Sequence, residues 1–315
     1  MKAFISISAL FLSLSLTAQT NTATWYLNDT SGNGIQTSSN TASGSVSVAM
    51  GVGTTASGQY STSMGVETTA SGGRSTAMGE RTTASGDFST AMGYYTTASG
   101  DFSTASGEGT TASGMISTAM GAGTTANGMF STAMGYFITA SDRSSLIIGQ
   151  HNLLGSTVTN SATDFSLENT AFVIGNGTNS ANRSDALVVK FNGDATLAGN
   201  LNINSDARLK ANIVSLGSTI AKLLQIDGKS YTMKKDESEK QKIGLLAQDI
   251  EKVFPELVSE SHGVKSVNYQ GLVPVLINAL KEQDAMMKEQ DSRLSRQQNE
   301  IDELKTMLKT LIEKT

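Results

Sequence analysis

A serine and a lysine five residues apart, Ser205 and Lys210, are the residues of this chain whose types and spacing could do chemistry. A serine hydroxyl is a poor nucleophile until a neighbouring base takes its proton. A lysine amine can be that base, but because a free lysine has a pKa near 10.4 it must first be desolvated. The pair lies between a lysine-free array and a charged C-terminal segment, where it predicts a site at which the chain cuts itself.

The same residues also fit a purely structural role. Ser205 followed by Asp206 is typical of a helix start, with a side-chain cap and an acidic residue in the first turn. Both interpretations remain open from these residues alone.

The N-terminus predicts export. Lys2 is followed by an apolar run to Leu16 and then by Thr17-Ala18-Gln19, which is the pattern of a signal peptide over residues 1–18. Residues 19–41 form a lead-in. The alternatives are a membrane anchor and a buried helix.

Composition narrows the possible partners. The chain has no cysteine and two histidines, so we expect neither disulfides nor a metal site, and no motif calls for a cofactor. The net charge of -5 is too small to indicate nucleic acid or an anionic membrane surface as a partner. No later segment has the length of a membrane-spanning helix, so none is expected in the mature chain.

A repeat of fourteen residues fills positions 42–149, with the unit T-T-A-S-G-x-x-S-T-A-M-G-x-x. Its segments are too short for helices, and the constant spacing predicts a β-solenoid whose coils gain stability by stacking. The apolar residues Val48, Met50, Leu146 and Ile148 suggest that the threonine and methionine face points inward and that Ala91 and its equivalents point outward. The alternative is a disordered Ser/Thr/Gly-rich linker.

The pattern A-S-G-x-x-S-T-A-M-G resembles the head repeats of trimeric autotransporter adhesins. The resemblance implies a trimeric left-handed parallel β-roll and hence a homotrimer. Aromatic residues at the x positions could bind a ligand, but packing at the edge of the trimer is the preferred interpretation; they are Tyr60, Phe88, Tyr94, Tyr95, Phe102 and Phe130.

Residues 150–204 predict a β-rich neck. Asn176-Gly177 and Asn192-Gly193 follow apolar runs, as turn residues do. The run Ala195–Asn204 alternates like a strand that leads into Ser205.

Beyond Ser205 the pattern becomes helical. Apolar residues at helical spacing predict a helix over residues 206–224, and a long helix is expected to begin near Tyr269. Its heptad seam holds Val273, Leu280, Met287, Leu294, Ile301 and Leu308 at one position and Leu276, Gln283, Gln290, Gln297, Leu304 and Leu311 at the other. This pattern predicts a coiled coil over residues 286–315, and a single amphipathic helix is the alternative.

Three blocks, S-D-x-R-L-K-x-N-I, G-L-L-A-Q-D-I-E-x-V-F-P-E-L-V and V-N-Y-x-x-L-V-P-V-L-I-x-A-L-K-E, resemble the intramolecular chaperone domain of phage endosialidases and tail fibres, peptidase family S74. They place that domain at residues 205–285. The resemblance implies a trimerising domain that templates folding of the upstream β-structure and then cuts itself off. It makes Ser205 the nucleophile, Lys210 the general base and Asn204–Ser205 the scissile bond. Ile243 stands where many members have a histidine.

Together these patterns predict an all-β N-terminal part, a trimeric left-handed parallel β-roll or solenoid, and an α+β chaperone domain ending in a trimeric coiled coil. The expected function is that of a secreted or surface-exposed homotrimeric fibre or adhesin that cleaves itself. The alternative is a structural stalk with a chaperone domain that never cuts. A glycan-acting enzyme is disfavoured, because the array holds no paired carboxylates for glycoside hydrolysis. The sequence names no host-cell, glycan or matrix ligand.

Overall fold

A computed structural model describes residues 26–27, 35–36, 39–154, 162–234 and 240–313. The chain forms two compact units, Met1–Asn202 and Ile203–Thr315, which we describe one at a time. The predicted signal peptide lies outside the described residues.

The first unit is built from short strands. They are β1 Tyr26–Leu27, β2 Ile35–Gln36, β3 Thr41–Ala42, β4 Val48–Val52, β5 Thr55–Ala56, β6 Thr62–Val66, β7 Thr69–Ala70, β8 Thr76–Glu80, β9 Thr83–Ala84, β10 Thr90–Tyr94, β11 Thr97–Ala98, β12 Thr104–Glu108, β13 Thr111–Ala112, β14 Thr118–Ala122, β15 Thr125–Ala126, β16 Thr132–Tyr136, β17 Thr139–Ala140, β18 Leu146–Gln150, β19 Thr170–Asn176, β20 Asp185–Lys190 and β21 Ala195–Leu197.

These strands make a β-solenoid, which confirms the predicted fold. From β3 to β18 each coil contributes a two-residue strand to one parallel sheet and a five-residue strand to another. Each strand pairs with its equivalent fourteen residues away, so that Thr90 lies opposite Thr76 and Thr104. Constant register brings identical side chains together in columns.

The predicted sidedness of the coils is wrong. Ala49, Ala77, Ala91 and their equivalents are fully buried, whereas Thr90 and Met92 are only half-buried. In most coils alanine, serine and threonine fill the narrow space between the two sheets, and isoleucine enters it only in the last coils, at Ile138 and Ile147. The larger apolar side chains therefore face outward.

Glycines set how closely the coils stack. A Cβ on Gly93 would lie 2.0 Å from the carbonyl oxygen of Gly107, and the backbone there has φ +119°. Only glycine meets both conditions. The corner aromatics contact one another between coils, as in the stacked pair Phe88 and Phe102, whose ring centroids are 4.8 Å apart.

Further strands follow the solenoid within residues 150–204, the segment predicted to be a β-rich neck. Strand β18 pairs in parallel with β19, which continues through antiparallel β20 and β21. The turn at Asn192-Gly193 joins β20 to β21, with φ +91° at Gly193. The strand predicted over Ala195–Asn204 is shorter, ending at Leu197.

The second unit combines small hairpins with helices. Its elements are the 3-10 turns Ala207–Leu209, Pro255–Leu257 and Tyr269–Gly271, the helices α1 Ile220–Leu223, α2 Ala247–Val253 and α3 Leu272–Ile312, and the strands β22 Lys229–Tyr231, β23 Lys242–Gly244, β24 Val258–Ser261 and β25 Val264–Val267. Strand β22 pairs with β23 and β24 pairs with β25, both antiparallel. The long helix is confirmed. In the part of the chain that the structure describes, no helix combines the length and apolarity needed to cross a membrane.

The helix predicted over residues 206–224 is wrong. Only the turn Ala207–Leu209 and the short α1 form there, and the backbone adopts positive φ at Asn212 and Gly217. Leu209 and Ile213 are 71% and 67% exposed. Among the described residues no apolar core therefore packs against this segment and stabilises a continuous helix.

Candidate functional site

The segment around Ser205 turns once and brings two separated side chains together. Residues 207–209 form a 3-10 turn, and the Lys210 N–H closes it by donating to the carbonyl oxygen of Ala207 at 3.1 Å. This single turn brings the Lys210 side chain back to Ser205, which lies two residues before the turn. The nucleophile and the base predicted from the sequence therefore come into contact.

The Ser205 hydroxyl and the Lys210 amine form a hydrogen bond. Lys210 Nζ donates to Ser205 Oγ at 2.7 Å. This is the distance needed for proton transfer between a nucleophile and its base. In the catalytic direction the bond would be reversed, with a neutral amine accepting the hydroxyl proton.

The capping role that the sequence allowed for Ser205 belongs to its neighbour. Asp206, not Ser205, caps the 3-10 turn, because its Oδ1 accepts the Arg208 N–H at 2.8 Å. The Ser205 hydroxyl is thus not used as a cap and is free to bond Lys210.

Asp206 is also paired with a cation of its own. The Arg208 guanidinium donates through Nη2 to Asp206 Oδ2 at 2.6 Å and through Nε to both oxygens at 3.1 Å. These side-chain hydrogen bonds lower the pKa of Asp206. Because Arg208 occupies this carboxylate, Lys210 is directed to Ser205 instead of to the acid next to it. Sequence reasoning had not assigned this role to Arg208.

The dyad lies in an exposed segment. Residues 201–218 are all exposed in the single chain, and Asn204, the residue on the other side of the predicted scissile bond, is among them. The two side chains are therefore in contact but open to solvent in the single chain.

A glutamate of the long helix anchors this segment at its far end. Glu282 accepts from the Thr219 N–H at 2.5 Å and from Ser218 Oγ at 2.7 Å. The hydrogen bond from Ser218, followed by that from the Thr219 backbone, lowers the pKa of Glu282. Thr219 is buried, and its Oγ1 donates to the carbonyl oxygen of Val275 at 3.0 Å. Sequence reasoning missed this anchor, although Glu282 is the last residue of the third sequence block.

The second and third sequence blocks meet in a small core. Ile250 and Phe254 from the second block pack with Val275 from the third, and Leu223 and Ile226 pack against them. The segment that carries the dyad is thus joined to the long helix by both hydrogen bonds and apolar contacts.

Comparison with known families agrees with this architecture. Residues 42–68, 70–96, 98–115 and 117–137 match the YadA head domain repeat, and residues 205–259 match the family described as Chaperone of endosialidase, peptidase S74. No curated protein matches the chain. Both resemblances seen in the sequence are confirmed: YadA-type head repeats are followed by a chaperone-of-endosialidase segment that begins at Ser205.

Proposed function

We propose that this chain is an exported, homotrimeric, adhesin-like or fibre-like protein whose C-terminal domain assembles three chains and then cleaves the Asn204–Ser205 bond. The observation that carries the proposal is the 2.7 Å contact between Ser205 Oγ and Lys210 Nζ at the first residues of the chaperone-of-endosialidase match.

The reaction needs only water besides the chain itself. Neutral Lys210 takes the proton of the Ser205 hydroxyl, and Oγ attacks the carbonyl carbon of Asn204. The C–N bond then breaks, the Ser205 nitrogen receives the proton from Lys210, and an ester links Asn204 to Ser205 Oγ. Water hydrolyses this ester, which leaves a carboxylate on Asn204 and restores the serine hydroxyl.

Assembly supplies the missing desolvation in this proposal. The dyad is exposed in one chain, so a second chain laid over residues 201–218 would exclude water and favour the neutral amine. Cleavage would then follow correct assembly and not precede it.

Exposed apolar side chains on the second unit support self-association. Ile243 is 87% exposed, and the heptad residues Leu280, Met287 and Leu294 of α3 are 65%, 58% and 54% exposed. A seam of this kind is stable in water when other helices cover it.

The first test is the mass of the denatured protein. We expect the purified full-length chain to yield two fragments that join at Asn204–Ser205. Ser205→Ala, which removes the nucleophile, and Lys210→Met, which removes the base, should each leave one intact chain. Ser215→Ala is the matched control, because Ser215 is an exposed serine of the same segment, and this variant should still cleave.

Two results would reject cleavage by this dyad: an intact wild-type chain in a folded trimer, or fragments that persist in Ser205→Ala. The first would favour the alternative, a structural stalk whose C-terminal domain assembles chains without cutting.

The chaperone role has a separate test. A chain that lacks residues 205–315 should give aggregated or monomeric repeats, because closing a non-local β-structure without a template is slow. A soluble, folded trimer from the truncated chain would contradict the role.

The head repeats suggest where the protein works. YadA-type repeats point to a surface or secreted protein, which agrees with the predicted signal peptide over residues 1–18. We propose no specific ligand for the head.

A further inference from the structure

The carboxylate of Asp206 has two cationic neighbours in the sequence, Arg208 and Lys210. Asp206 directly follows Ser205, and the turn over residues 207–209 carries the Lys210 amine back to the Ser205 hydroxyl, at 2.7 Å. An ammonium group and a carboxylate on such close residues attract each other. The segment therefore offers Lys210 two different partners, a neutral hydroxyl and a charged carboxylate.

Arg208 holds both oxygens of this carboxylate. Asp206 Oδ1 accepts from the Arg208 backbone N–H at 2.8 Å and from Nε at 3.1 Å, while Oδ2 accepts from Nη2 at 2.6 Å and from Nε at 3.1 Å. A guanidinium grips a carboxylate through a fork of donors, which the point charge of an ammonium group does not reproduce. Arg208 is therefore the better partner for Asp206, and Lys210 bonds the serine.

The partner of Lys210 decides whether its amine can act as a base. The amine has to be neutral before it can take the proton of a hydroxyl. A carboxylate in contact with an ammonium group favours the charged form, so an amine held by Asp206 would give up its proton only at higher pH. A hydroxyl carries no charge and has no such effect. Contact with Ser205 instead of Asp206 therefore keeps the amine both in place and able to act.

The ion pair between Asp206 and Arg208 contributes little to the stability of the fold. The Arg208 side chain is 89% exposed, and exposed ion pairs stabilise proteins only slightly. The turn is capped by the carboxylate and a backbone N–H, and both remain when the guanidinium is removed. A change at Arg208 should therefore alter the partner of Lys210 and leave the domain folded.

We propose that Arg208 is a positioning residue for self-cleavage: by occupying the Asp206 carboxylate, it leaves the Lys210 amine to the Ser205 hydroxyl. The inference rests on the proposed function, because it concerns the same dyad. The side-chain hydrogen bonds of Arg208 go to Asp206, so Arg208 acts on the dyad through that carboxylate.

The rate of cleavage of the full chain as a function of pH tests this role. Arg208→Met removes the guanidinium and keeps an extended side chain, so that Asp206 should take Lys210. We expect cleavage to slow about tenfold or more at neutral pH and its rate–pH profile to move upward by about one pH unit or more. Chains isolated intact in denaturant are refolded at each pH, and the cleaved fraction is followed over time. Circular dichroism checks that the variant is folded.

Two further variants distinguish positioning from a structural role. Asp206→Asn combined with Arg208→Met removes the competing charge but retains an oxygen that can cap the turn, so most of the wild-type rate should return. Arg208→Lys, which can still pair with Asp206, should lose less activity than Arg208→Met. A merely structural role of the arginine would leave the double variant as slow as the single one.

Cross-linking reports the partner of Lys210 whether or not the chain cleaves. A carbodiimide joins an amine to a carboxylate in contact with it, with loss of water. Peptide mass spectrometry of the full chain should find the amide between Asp206 and Lys210 severalfold more often in Arg208→Met than in the wild type. The ion pair between Lys265 and Glu251, elsewhere in the second unit, is the internal control and should cross-link equally in both.

The outcomes separate this role from the proposed function. A folded wild-type chain that stays intact rejects cleavage, and the cross-links then decide alone whether Arg208 keeps Lys210 from Asp206. Equal cross-linking of Asp206 to Lys210 in the wild type and Arg208→Met would overturn the positioning role. The same holds if both cleave with one rate and one pH profile, or if the double variant is as slow as Arg208→Met.

Discussion

Buried hydroxyl groups run through the interior of the solenoid as two columns. Their oxygens have no hydrogen-bond partner in the described chain at Thr54, Ser61, Ser75, Thr82, Ser89, Thr96, Ser103, Thr110, Ser117, Thr124 and Ser131. Each costs free energy, because it loses water without gaining a partner. The interior is thus limited by side-chain size and not optimised for stability.

Two positions show how the chain relieves this cost. Ser63 replaces the usual alanine, and its Oγ lies 2.7 Å from Thr68 Oγ1, so the threonine of that coil has a partner. Ile138 replaces the threonine of a later coil and is fully buried. A methyl group therefore fits where the array usually carries a hydroxyl.

Replacing one unpartnered hydroxyl with a methyl group should stabilise the head. For Thr96→Val we expect the free energy of unfolding to rise by about 1 kcal/mol, since the shape is retained and the desolvation cost disappears. Thr97→Val, at the half-buried outward neighbour, should change it by less than about 0.5 kcal/mol. Denaturant unfolding measures both, and a destabilised Thr96→Val would show that the hydroxyl has a partner after all.

At the scale of the coil, glycine determines whether neighbouring turns can stack. Gly93→Ala should cost about 3 kcal/mol or more, because its Cβ would lie 2.0 Å from the Gly107 oxygen at φ +119°. Gly109→Ala is the control, since it has φ +59° and its nearest atom is 4.0 Å away. It should cost only about 1–2 kcal/mol, from the left-handed backbone. Thermal unfolding followed by circular dichroism compares them, and equal losses would exclude close stacking as the cause.

The Glu282 anchor should make the α1 segment sensitive to acid. Its pKa is lowered in the folded state, so its stabilising effect is complete above the pKa of a free glutamate, about 4.3, and is lost as the pH falls through the lower folded value. Hydrogen exchange at the Thr219 amide, which donates to this carboxylate, reports the effect directly.

We expect the Thr219 amide to exchange faster in Glu282→Gln than in the wild type at neutral pH, after correction for intrinsic rates. The difference should shrink toward pH 3, where the wild-type carboxyl is protonated as well. Glu289→Gln, seven residues further along α3, should match the wild type throughout. A constant difference at all pH values would show that the charge has no role.

Sequence patterns predicted elements well where one residue type must occupy one place. The glycine period predicted the coils of the solenoid, and the heptad pattern predicted the long helix α3. Sequence patterns gave wrong predictions in two cases. The buried face of a strand depended on the width of the coil, and helix formation depended on a core to pack against. Ala91 looked like a surface residue until the narrowness of the coil was known, and the apolar spacing from Leu209 to Leu224 looked helical although no core within the chain receives it.

The site was predictable in its residues but not in its geometry. Five residues are not a helical neighbour spacing, so the Ser205–Lys210 contact depends on the 3-10 turn that Asp206 caps. No periodic pattern in the sequence predicts the ion pair between Asp206 and Arg208, beside which the Lys210 amine bonds Ser205.

At the scale of the whole molecule, the corrected sidedness changes where contacts between copies are expected. The buried alanines cannot form an interface, because they already fill the interior of one chain. The outward face carries the threonine and methionine columns instead, and Met120 and Met134 on it are 41% and 42% exposed. Exposed apolar side chains in a row along stacked strands mark a surface where a partner can bind, and in the proposed homotrimer that partner is another copy.

Methionine oxidation can test, without any mutation, whether this face is covered in the proposed homotrimer. Met134 lies on the outward strand face, whereas Met115 lies on a corner turn, and the two are 42% and 38% exposed in a single chain. Since oxidation follows exposure, mild peroxide should modify Met115 and spare Met134 and Met120 in the assembled protein. Peptide mass spectrometry reads each site, and the denatured chain should oxidise at all three. Equal rates at Met115 and Met134 in the assembled protein would mean that the methionine face is open to solvent, and the chains would then be held together elsewhere, with the exposed heptad seam of α3 as the remaining surface.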